Sequence, residues 1–292
     1  MFPAAFDYRR ADSADEAMAL LQQYGGDARI LAGGQSLIPA MRFRLARPAV
    51  LVDINPLADL DYVREQDGML VLGALARDAG LERTPWIARY PLVADVSAVV
   101  ADPVVRQMGT IVGSLCHNDP AGDWAVAALA ARAQVVVRGA AGNRVVSIDD
   151  FLVDSFTTAV ADGEMALEVR FPTPSQRTSG AYEKIERKVG DFATAAAAAK
   201  ITLAADGTIA EAGIAVGAAG PTATRVAAAE ALLRGEKPTR ELIRAAADEA
   251  AKIADPAADT RGSVAYKKAM AGVLVGRALV RACERLGIEG VR

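Results

Sequence analysis

Polar and apolar positions near the start of the chain follow the spacing of a capped helix. Residues 13–24 read SADEAMALLQQY, and their apolar side chains recur at the spacing of an amphipathic helix. Ser13 and Glu16 have the spacing of a capping box, and the glycine pair at 25–26 is expected to end the helix. A strand, a helix and a second strand are predicted at residues 28–32, 37–45 and 50–54. With the glycines at 33–34, this is a compact β-loop-α-β unit.

The middle of the chain mixes hairpins with short helices. Two apolar runs flank Gln66-Asp67-Gly68, which indicates a β-hairpin. A second hairpin is predicted across 134–147, and a strand at 164–171. Short helical pieces are predicted around 81–90 and 92–99, and a helix at 124–132 that is preceded by a polar glycine loop at 108–123.

A stretch rich in Pro, Ser and Gly at 172–180 is the predicted boundary between two domains. Beyond it, strand patterns come before helix patterns. The strands are predicted at 182–187, 193–204 and 208–216, and the helices at 222–233, 239–253 and 263–285. Strands followed by helices predict an α+β fold. We therefore divide the chain into domains at 1–176 and 177–292.

Composition narrows the classes of function. The chain has 292 residues, of which 52% are apolar, and 33 basic against 36 acidic residues give a net charge of −3. This balance disfavours nucleic-acid binding by charge. Two cysteines and one histidine exclude a disulfide framework, and also a Cys-rich zinc site, an iron–sulfur cluster or a multi-histidine metal centre held by this chain alone.

The sequence contains no apolar run long enough to span a bilayer, and its start lacks the apolar core of a signal peptide. We therefore expect a cytoplasmic protein without a membrane span. If the protein is an enzyme, its redox or other demanding chemistry is expected to belong to a bound cofactor.

The first polar loop is Ala32-Gly33-Gly34-Gln35-Ser36. Adjacent glycines allow close approach of a ligand to the backbone, and free N–H groups gather where a loop enters a helix. The simpler interpretation is a tight turn in which Ser36 caps the next helix.

The second polar loop concentrates hydroxyl, amide and carboxylate groups between Thr110 and Asp123. Its simpler interpretation is turn chemistry, with Asp119 or Asp123 capping the helix at 124–132 and His117 in a structural hydrogen bond. Two such loops in one half of the chain favour a ligand that contains a diphosphate. Further on, strand alternation would put Lys184, Glu186 and Lys188 on one solvated face.

Three segments in this order resemble the FAD-binding medium subunits of molybdenum hydroxylases, most closely those of aerobic carbon monoxide dehydrogenases. The segments are LAGGQSLIPAMRFRLARPAVLVDIN, ADPVVRQMGTIVGSLCHNDPAGD and YEKIERKVGDFATAAAA. The resemblance extends over essentially the whole chain. It implies a PCMH-type FAD-binding domain of two subdomains, at about 1–57 and 58–176, followed by a domain like the C-terminal domain of carbon monoxide dehydrogenase flavoproteins.

The same resemblance implies which residues bind FAD. The two loops would hold its diphosphate and ribityl chain, Asp123 would bond the flavin-side portion, Lys184 would approach the isoalloxazine, and Phe192 would lie beside the ring. The implied cofactor-binding residues are Ala32, Gly33, Gly34, Gln35, Ser36, Leu37, Thr110, Ile111, Val112, Gly113, Ser114, Asn118, Asp119, Asp123, Lys184 and Phe192. An FAD diphosphate is a dianion, and with no strong basic patch its charge would be met by backbone N–H groups and helix N-termini.

The sequence departs from the family pattern at three of these positions. Gln35 stands where the carbon monoxide enzymes usually carry His, Val112 stands where Gly is usual, and Phe192 stands where Tyr is frequent. The first departure bears on the substrate. The second predicts reduced backbone freedom in the second loop, and the third removes a phenol hydroxyl near the flavin.

The favoured hypothesis is an FAD-binding electron-transfer subunit of a heterotrimeric molybdenum hydroxylase, assembled as a dimer of heterotrimers. It would take electrons from a small [2Fe-2S] subunit and pass them to an external acceptor, while a large subunit carries the molybdopterin-type cofactor. Carbon monoxide, an aldehyde, a purine and an N-heterocycle all stay open as substrates. Two other hypotheses are a self-contained flavin oxidase, for which His117 is the sole histidine available as a base, and a non-catalytic nucleotide-binding or scaffolding protein.

Overall fold

The fold begins with a three-stranded parallel sheet. The computed structural model describes residues 2–291, so positions 1 and 292 of the predicted domain limits lie outside the described residues. The first elements are β1 (Asp7–Arg10), α1 (Ala14–Tyr24), β2 (Ala28–Leu31), α2 (Leu37–Arg42) and β3 (Val50–Asp53). The strands lie in the order β1-β3-β2, and α1 packs on β2 and β3. Ser13 accepts a hydrogen bond from the Glu16 N–H, and Gly25 ends α1 at φ +51°, which confirms the predicted caps.

A five-stranded antiparallel sheet follows, in the order β4-β5-β10-β6-β7. Its segment contains β4 (Val63–Gln66), β5 (Met69–Gly73), α3 (Asp78–Leu81), α4 (Pro91–Val99), α5 (Pro103–Met108), α6 (Ile111–His117), α7 (Asp123–Ala131), β6 (Gln134–Gly139), β7 (Gly142–Ser147), α8 (Ile148–Phe151), β8 (Leu152–Asp154), β9 (Thr157–Thr158) and β10 (Met165–Pro172). Both predicted hairpins are confirmed. Asp67 and Gly68 form the first turn at φ +51° and +72°, as a two-residue hairpin turn requires.

The last part of the chain is a four-stranded antiparallel sheet covered by helices. It comprises β11 (Thr178–Ile185), β12 (Ala195–Leu203), β13 (Ile209–Gly217), β14 (Thr224–Arg225), α9 (Ala227–Leu233), α10 (Arg240–Ile253) and α11 (Val264–Arg285). The alanine run at 195–199 lies in β12, where small side chains let α7 pack on one face of the sheet and α11 on the other. The predicted α+β fold is confirmed.

Three predicted helices are wrong in extent. The helix predicted at 37–45 ends at Arg42, and Arg44 leaves the helical region at φ +60°. The short helical pieces predicted around 81–90 cover only part of that stretch: α3 stops at Leu81, before Pro85, which cannot donate to a preceding turn, and a single 3-10 turn follows at Ile87–Arg89. The helix predicted at 222–233 starts late because its first residues pair with β13 as β14.

The segment at 108–123, predicted as one loop, contains the helix α6. Thr110 is its N-cap and accepts the Gly113 N–H at 3.2 Å. Ile111 and Leu115 are fully buried on its inner face, and Asn118 ends it at φ +45°. The apolar pair at helical spacing was the signal for this helix, and the glycines around it obscured that signal.

The antiparallel sheets share one hydrophobic cluster. Trp124, fully buried on α7, lies in it with Tyr182 of β11. Asp95 of α4 adds ion pairs across the same boundary, at 3.0 Å to Arg281 and 2.7 Å to Arg285 of α11. The two sheets are therefore joined by both packing and charge. None of the helices within residues 2–291 has the length and apolarity to cross a membrane.

Candidate functional site

The glycine loop after β2 lies directly against the segment before α6. A Cβ atom on Gly33 would lie 2.3 Å from the Met108 carbonyl oxygen and 3.0 Å from the Gly109 Cα. Real Cβ atoms do not come this close to backbone, so position 33 admits no side chain unless the backbone moves. We call residues 32–37 the first segment and residues 108–114 the second segment. Although far apart in the sequence, they form one surface.

The first segment presents backbone donors that no protein group uses. Gly34 turns the chain at φ +69°, and within the described part of the chain the N–H groups of residues 33–37 donate no hydrogen bond. Ser36 is the N-cap residue of α2, as the simpler interpretation expects, but its side chain makes no bond to the start of the helix. The Gln35 Nε2 donates to the Gly33 carbonyl oxygen at 3.3 Å. Several free N–H groups in one half-exposed turn suit an anion.

Most N–H donors of the second segment are already used by acceptors within the protein. The Gly113 N–H is held by Thr110, and the Ser114 N–H donates to the Thr110 carbonyl at 2.9 Å. Among residues 2–291, no group accepts from the N–H groups of Thr110 and Val112. Val112 is buried in the first turn of α6. A valine adopts helical backbone without strain, so the structure makes no use of the extra freedom that a glycine would bring there.

Two polar residues that the sequence did not single out connect the segments. The Asn55 Nδ2 donates to the Ala32 carbonyl oxygen at 2.9 Å. Arg77 donates from Nη2 to the Asn55 Oδ1 and from Nη1 to the Met108 carbonyl oxygen, each at 2.5 Å. Asn55 ends one of the three segments that carry the family resemblance and Arg77 lies outside them, but nothing in the sequence marked either side chain as a contact between the two loops.

A buried acid, a phenol and an amine form a cluster near this surface. Tyr182 donates to the Asp123 Oδ1 at 2.5 Å, and the Lys184 Nζ lies 3.3 Å from the Asp123 Oδ2. Burial raises the pKa of Asp123, although Lys184 and Tyr182 act in the opposite direction, and burial also raises the pKa of Tyr182 well above its usual value. Asp123 is the first residue of α7, whose N-cap is Gly122. Its predicted role as a helix cap is therefore wrong.

The prediction of a solvated face at Lys184, Glu186 and Lys188 is wrong for Lys184 and Glu186, whose side chains are largely covered, whereas Lys188 is exposed as predicted. The strand β11 ends at Ile185, so alternation does not continue to the last two residues. The Lys184 side chain is only 3% exposed, and its ammonium donates to the carbonyl oxygens of Val99 and of residue 191 besides its acidic partners. Strand alternation gave the spacing of these residues but not which side of the sheet is covered.

Asn118 and its neighbours hold a loop in place. The Asn118 side chain is buried and donates to the carbonyl oxygens of Asp154 and Thr157, at 2.8 and 2.9 Å. Its Oδ1 is buried and has no partner among the described residues. Asp119 accepts the Ala121 N–H at 2.9 Å, so it does not cap α7. His117 packs against the Phe156 ring, and burial lowers its pKa.

Phe192 lies in the loop between β11 and β12. Its side chain is 47% exposed, and the preceding Gly190 packs so closely that a Cβ there would lie 3.0 Å from Asp102. Val104 and Met108, on the α5 helix that follows Asp102, are also exposed. The 188–192 loop therefore lies against the start of α5, whose last residue, Met108, begins the second segment.

Known proteins match this chain over nearly its whole length. The FAD binding domain in molybdopterin dehydrogenase matches residues 4–174, and the CO dehydrogenase flavoprotein C-terminal domain matches residues 180–282. The carbon monoxide dehydrogenase medium chain of Hydrogenophaga pseudoflava is 41% identical over 98% of this chain and 99% of its own.

The chain belongs to this family of FAD-binding domains. A solved carbon monoxide dehydrogenase structure from H. pseudoflava, which lacks the Mo-pyranopterin moiety of the molybdenum cofactor, superposes with a TM-score of 0.95 at 42% identity, covering 98% of this chain and 99% of that one. The 6-hydroxypseudooxynicotine dehydrogenase complex subunit alpha of Paenarthrobacter nicotinovorans is 37% identical over 98% of this chain and 97% of its own. The resemblance inferred from the sequence motifs is confirmed, and the protein is an FAD subunit of the molybdenum-containing oxidoreductase type.

The described residues fit an FAD molecule in two respects. The free N–H groups of the first segment suit a diphosphate, and the buried, unpartnered Asn118 Oδ1 is an acceptor suited to a hydroxyl donor. Within residues 2–291, no group of three or more His, Cys, Asp or Glu side chains is arranged to hold a metal ion.

Proposed function

We propose that this chain is the FAD-carrying electron-transfer subunit of a three-subunit molybdenum hydroxylase. The contact of Gly33 with Met108 and Gly109 is the observation that carries the proposal, because it brings together two segments, far apart in the sequence, whose free N–H groups can then serve one ligand. Its partners would be a large subunit with the molybdopterin-type cofactor and a small [2Fe-2S] subunit.

Each part of the proposed FAD site has a distinct task. The N–H groups of the first segment, together with those of Thr110 and Val112, would bind the diphosphate and ribityl chain. Asp123 and Lys184 would face the flavin side, and Phe192 would pack beside the ring. When bound, FAD supplies the ability to exchange electrons singly or in pairs, and the protein supplies its position and electrostatic surroundings.

The Asp123–Lys184 pair gives the flavin end a fixed charge arrangement. Both side chains are nearly inaccessible, at 6% and 3% exposure, so neither can reorient toward water when the electron count of the site changes. An ion pair in such surroundings is screened weakly. We propose that this pair, rather than a mobile side chain, sets the local potential.

Carbon monoxide is the proposed substrate of the assembled enzyme. The support is the 41% identity over the full chain to a carbon monoxide dehydrogenase medium chain. Gln35 argues for another substrate, and a relative at 37% identity belongs to a 6-hydroxypseudooxynicotine dehydrogenase. We further propose that the complex assembles as a dimer of heterotrimers. We also propose that it works in the cytoplasm, since both cysteines are unpaired and a reducing compartment suits free thiols.

The test is substrate-dependent bleaching of the flavin. The chain is co-expressed with its partner subunits, and the absorbance of the flavin is followed after anaerobic addition of carbon monoxide, an aldehyde, a purine or an N-heterocycle. We expect bleaching with carbon monoxide in the complex and none in the isolated chain. Bleaching of the isolated chain would instead support a self-contained flavin oxidase, and a complex that releases no FAD on denaturation would refute the proposed function.

A further inference from the structure

The Asn55 and Arg77 side chains form a continuous hydrogen-bonded connection between the two segments. It runs from the Ala32 carbonyl oxygen to the Asn55 amide, from there to the Arg77 guanidinium, and on to the Met108 carbonyl oxygen. Asn55 follows β3 of the parallel sheet, and Arg77 follows β5 of the antiparallel sheet. The connection therefore crosses between two separate sheets at the point where the segments touch.

Hydrogen bonds to the Asp53 carboxylate hold the Asn55 side chain in one orientation. Asp53 accepts the Asn55 backbone N–H at 2.9 Å and its Nδ2 at 2.6 Å, both through Oδ1. Tyr8 donates to the other carboxylate oxygen of Asp53, and Asp53 is 8% exposed. With the Nδ2 directed to Asp53 and Ala32, the Asn55 Oδ1 is left to accept from Arg77.

Backbone hydrogen bonds on both sides of Arg77 hold this residue against the second segment. The residues on either side of it pair with that segment, through Asp78 N–H to the Gly109 carbonyl at 3.2 Å and Ile111 N–H to the Ala76 carbonyl at 3.4 Å. Burial of the guanidinium lowers the pKa of Arg77. If either acceptor moves away, the guanidinium keeps at most one of these bonds and no longer connects Asn55 to the Met108 carbonyl.

The direction of these bonds determines which groups stay free. A trans peptide group holds its C=O and its N–H in opposite directions. When Asn55 binds the Ala32 carbonyl, the Gly33 N–H points away from Asn55, and this N–H is one of the unused donors of the first segment. Arg77 fixes the Met108 carbonyl, which is the atom against which Gly33 packs.

We propose that Asn55 and Arg77 are positioning residues that set the separation of the two segments and thereby the affinity for the diphosphate of FAD. The proposal rests on the proposed FAD site. Neither side chain is assigned a contact with the cofactor, because their donors and acceptors are already used within the protein.

The test measures the FAD dissociation constant of the full-length chain in three variants. Asn55→Ala and Arg77→Met each remove the connection, and Arg77→Lys keeps the positive charge while losing the two-pronged geometry. We expect a rise of about tenfold or more in the FAD dissociation constant for the first two, the size of a lost hydrogen bond to a charged group. Arg77→Lys is expected to restore part of the affinity.

The double variant and a matched control separate positioning from general stability. Asn55 and Arg77 act in one series of hydrogen bonds, so removing either of them already breaks it. The double variant Asn55→Ala/Arg77→Met should therefore weaken FAD binding no more than the single variant with the larger effect. Arg138→Gln removes another arginine contact between the same two parts of the protein, the 2.6 Å pair with Asp15, and should leave the FAD affinity unchanged.

Each outcome has a defined meaning. Additive losses in the double variant, or an equal loss in Arg138→Gln, would overturn the positioning role. Unchanged FAD affinity with a lowered melting temperature would also overturn it. If Gly33→Ala weakens FAD binding while the Asn55 and Arg77 variants do not, this inference fails and the proposed site stands. If the unaltered chain binds no FAD, the proposed site itself fails.

Discussion

A single added methyl group at Gly33 should weaken FAD binding. In Gly33→Ala the new Cβ would lie 2.3 Å from the Met108 carbonyl oxygen and 3.0 Å from the Gly109 Cα. Both are backbone atoms, so no side-chain rotation relieves the contact. Ordinary carbon contacts begin near 3.5 Å, so the segments must separate by about 1 Å.

The size of the effect follows from the cost of overpacking. Inserting a methyl into a close-packed site costs about 1–3 kcal/mol. If the two segments must return to this close approach when FAD binds, the cost of the added methyl group appears in the free energy of FAD binding. At 1.4 kcal/mol per factor of ten, the FAD dissociation constant should rise by roughly 5- to 150-fold.

The assay is a titration of the apoprotein with FAD, followed by quenching of the flavin fluorescence. Gly26→Ala is the matched control, because a Cβ at Gly26 meets nothing within 4 Å and the position needs no positive φ. The melting temperature of each apoprotein checks that the fold is intact. Wild-type affinity in Gly33→Ala, or an equal loss in Gly26→Ala, would refute the claim that the two segments close on one cofactor.

Three further predictions concern buried carboxylates. Burial raises the pKa of Asp78 to about 6, so between about pH 4 and 6 the native state holds a proton that the unfolded state loses. Relative to Asp78→Asn, the unfolding free energy of the wild type should fall by about 2 kcal/mol from pH 4 to pH 6, and by about 3 kcal/mol from pH 3 to pH 7, as urea titrations would measure. Asp95→Ala should lower the free energy of unfolding by about 1.5–3 kcal/mol. The control variant Glu249→Gln, which removes a charge from an exposed pair, should lower it by less than about 0.5 kcal/mol. Asp123→Asn deprives the buried Lys184 of a partner and should lower the urea stability by about 3 kcal/mol; an unchanged midpoint would contradict it.

The sequence was most informative where one local rule decides the outcome. The capping residues Ser13 and Glu16 and the Asp-Gly turn at 67–68 lie as predicted, because caps and tight turns depend on neighbours along the chain. The helix α6 was missed because its glycines resemble a loop when read alone. Its stability comes from Ile111 and Leu115, which are fully buried by other elements.

Residues whose partners lie far along the chain were the hardest to predict. Lys184 has the alternation of a strand residue, but the elements that cover it, including α7 and the 188–192 loop, are placed only by tertiary packing. Arg77 lies outside the segments that carry the family resemblance, and Asn55, which ends one of them, has no local pattern that marks its role. Their significance depends on acceptors at positions 32 and 108, which no local pattern relates to them.

The charge of the chain explains why the proposed site relies on main-chain donors. With a net charge of −3, a diphosphate dianion gains little from the long-range field of the protein. Backbone N–H groups carry partial positive charge that does not titrate, and they cost little side-chain entropy to hold in place. Such donors act together only if the segments that bear them cannot drift apart. A site of this kind therefore needs rigid contacts such as Gly33 on Met108 and the Asn55–Arg77 connection, whereas a site built from flexible lysines would not.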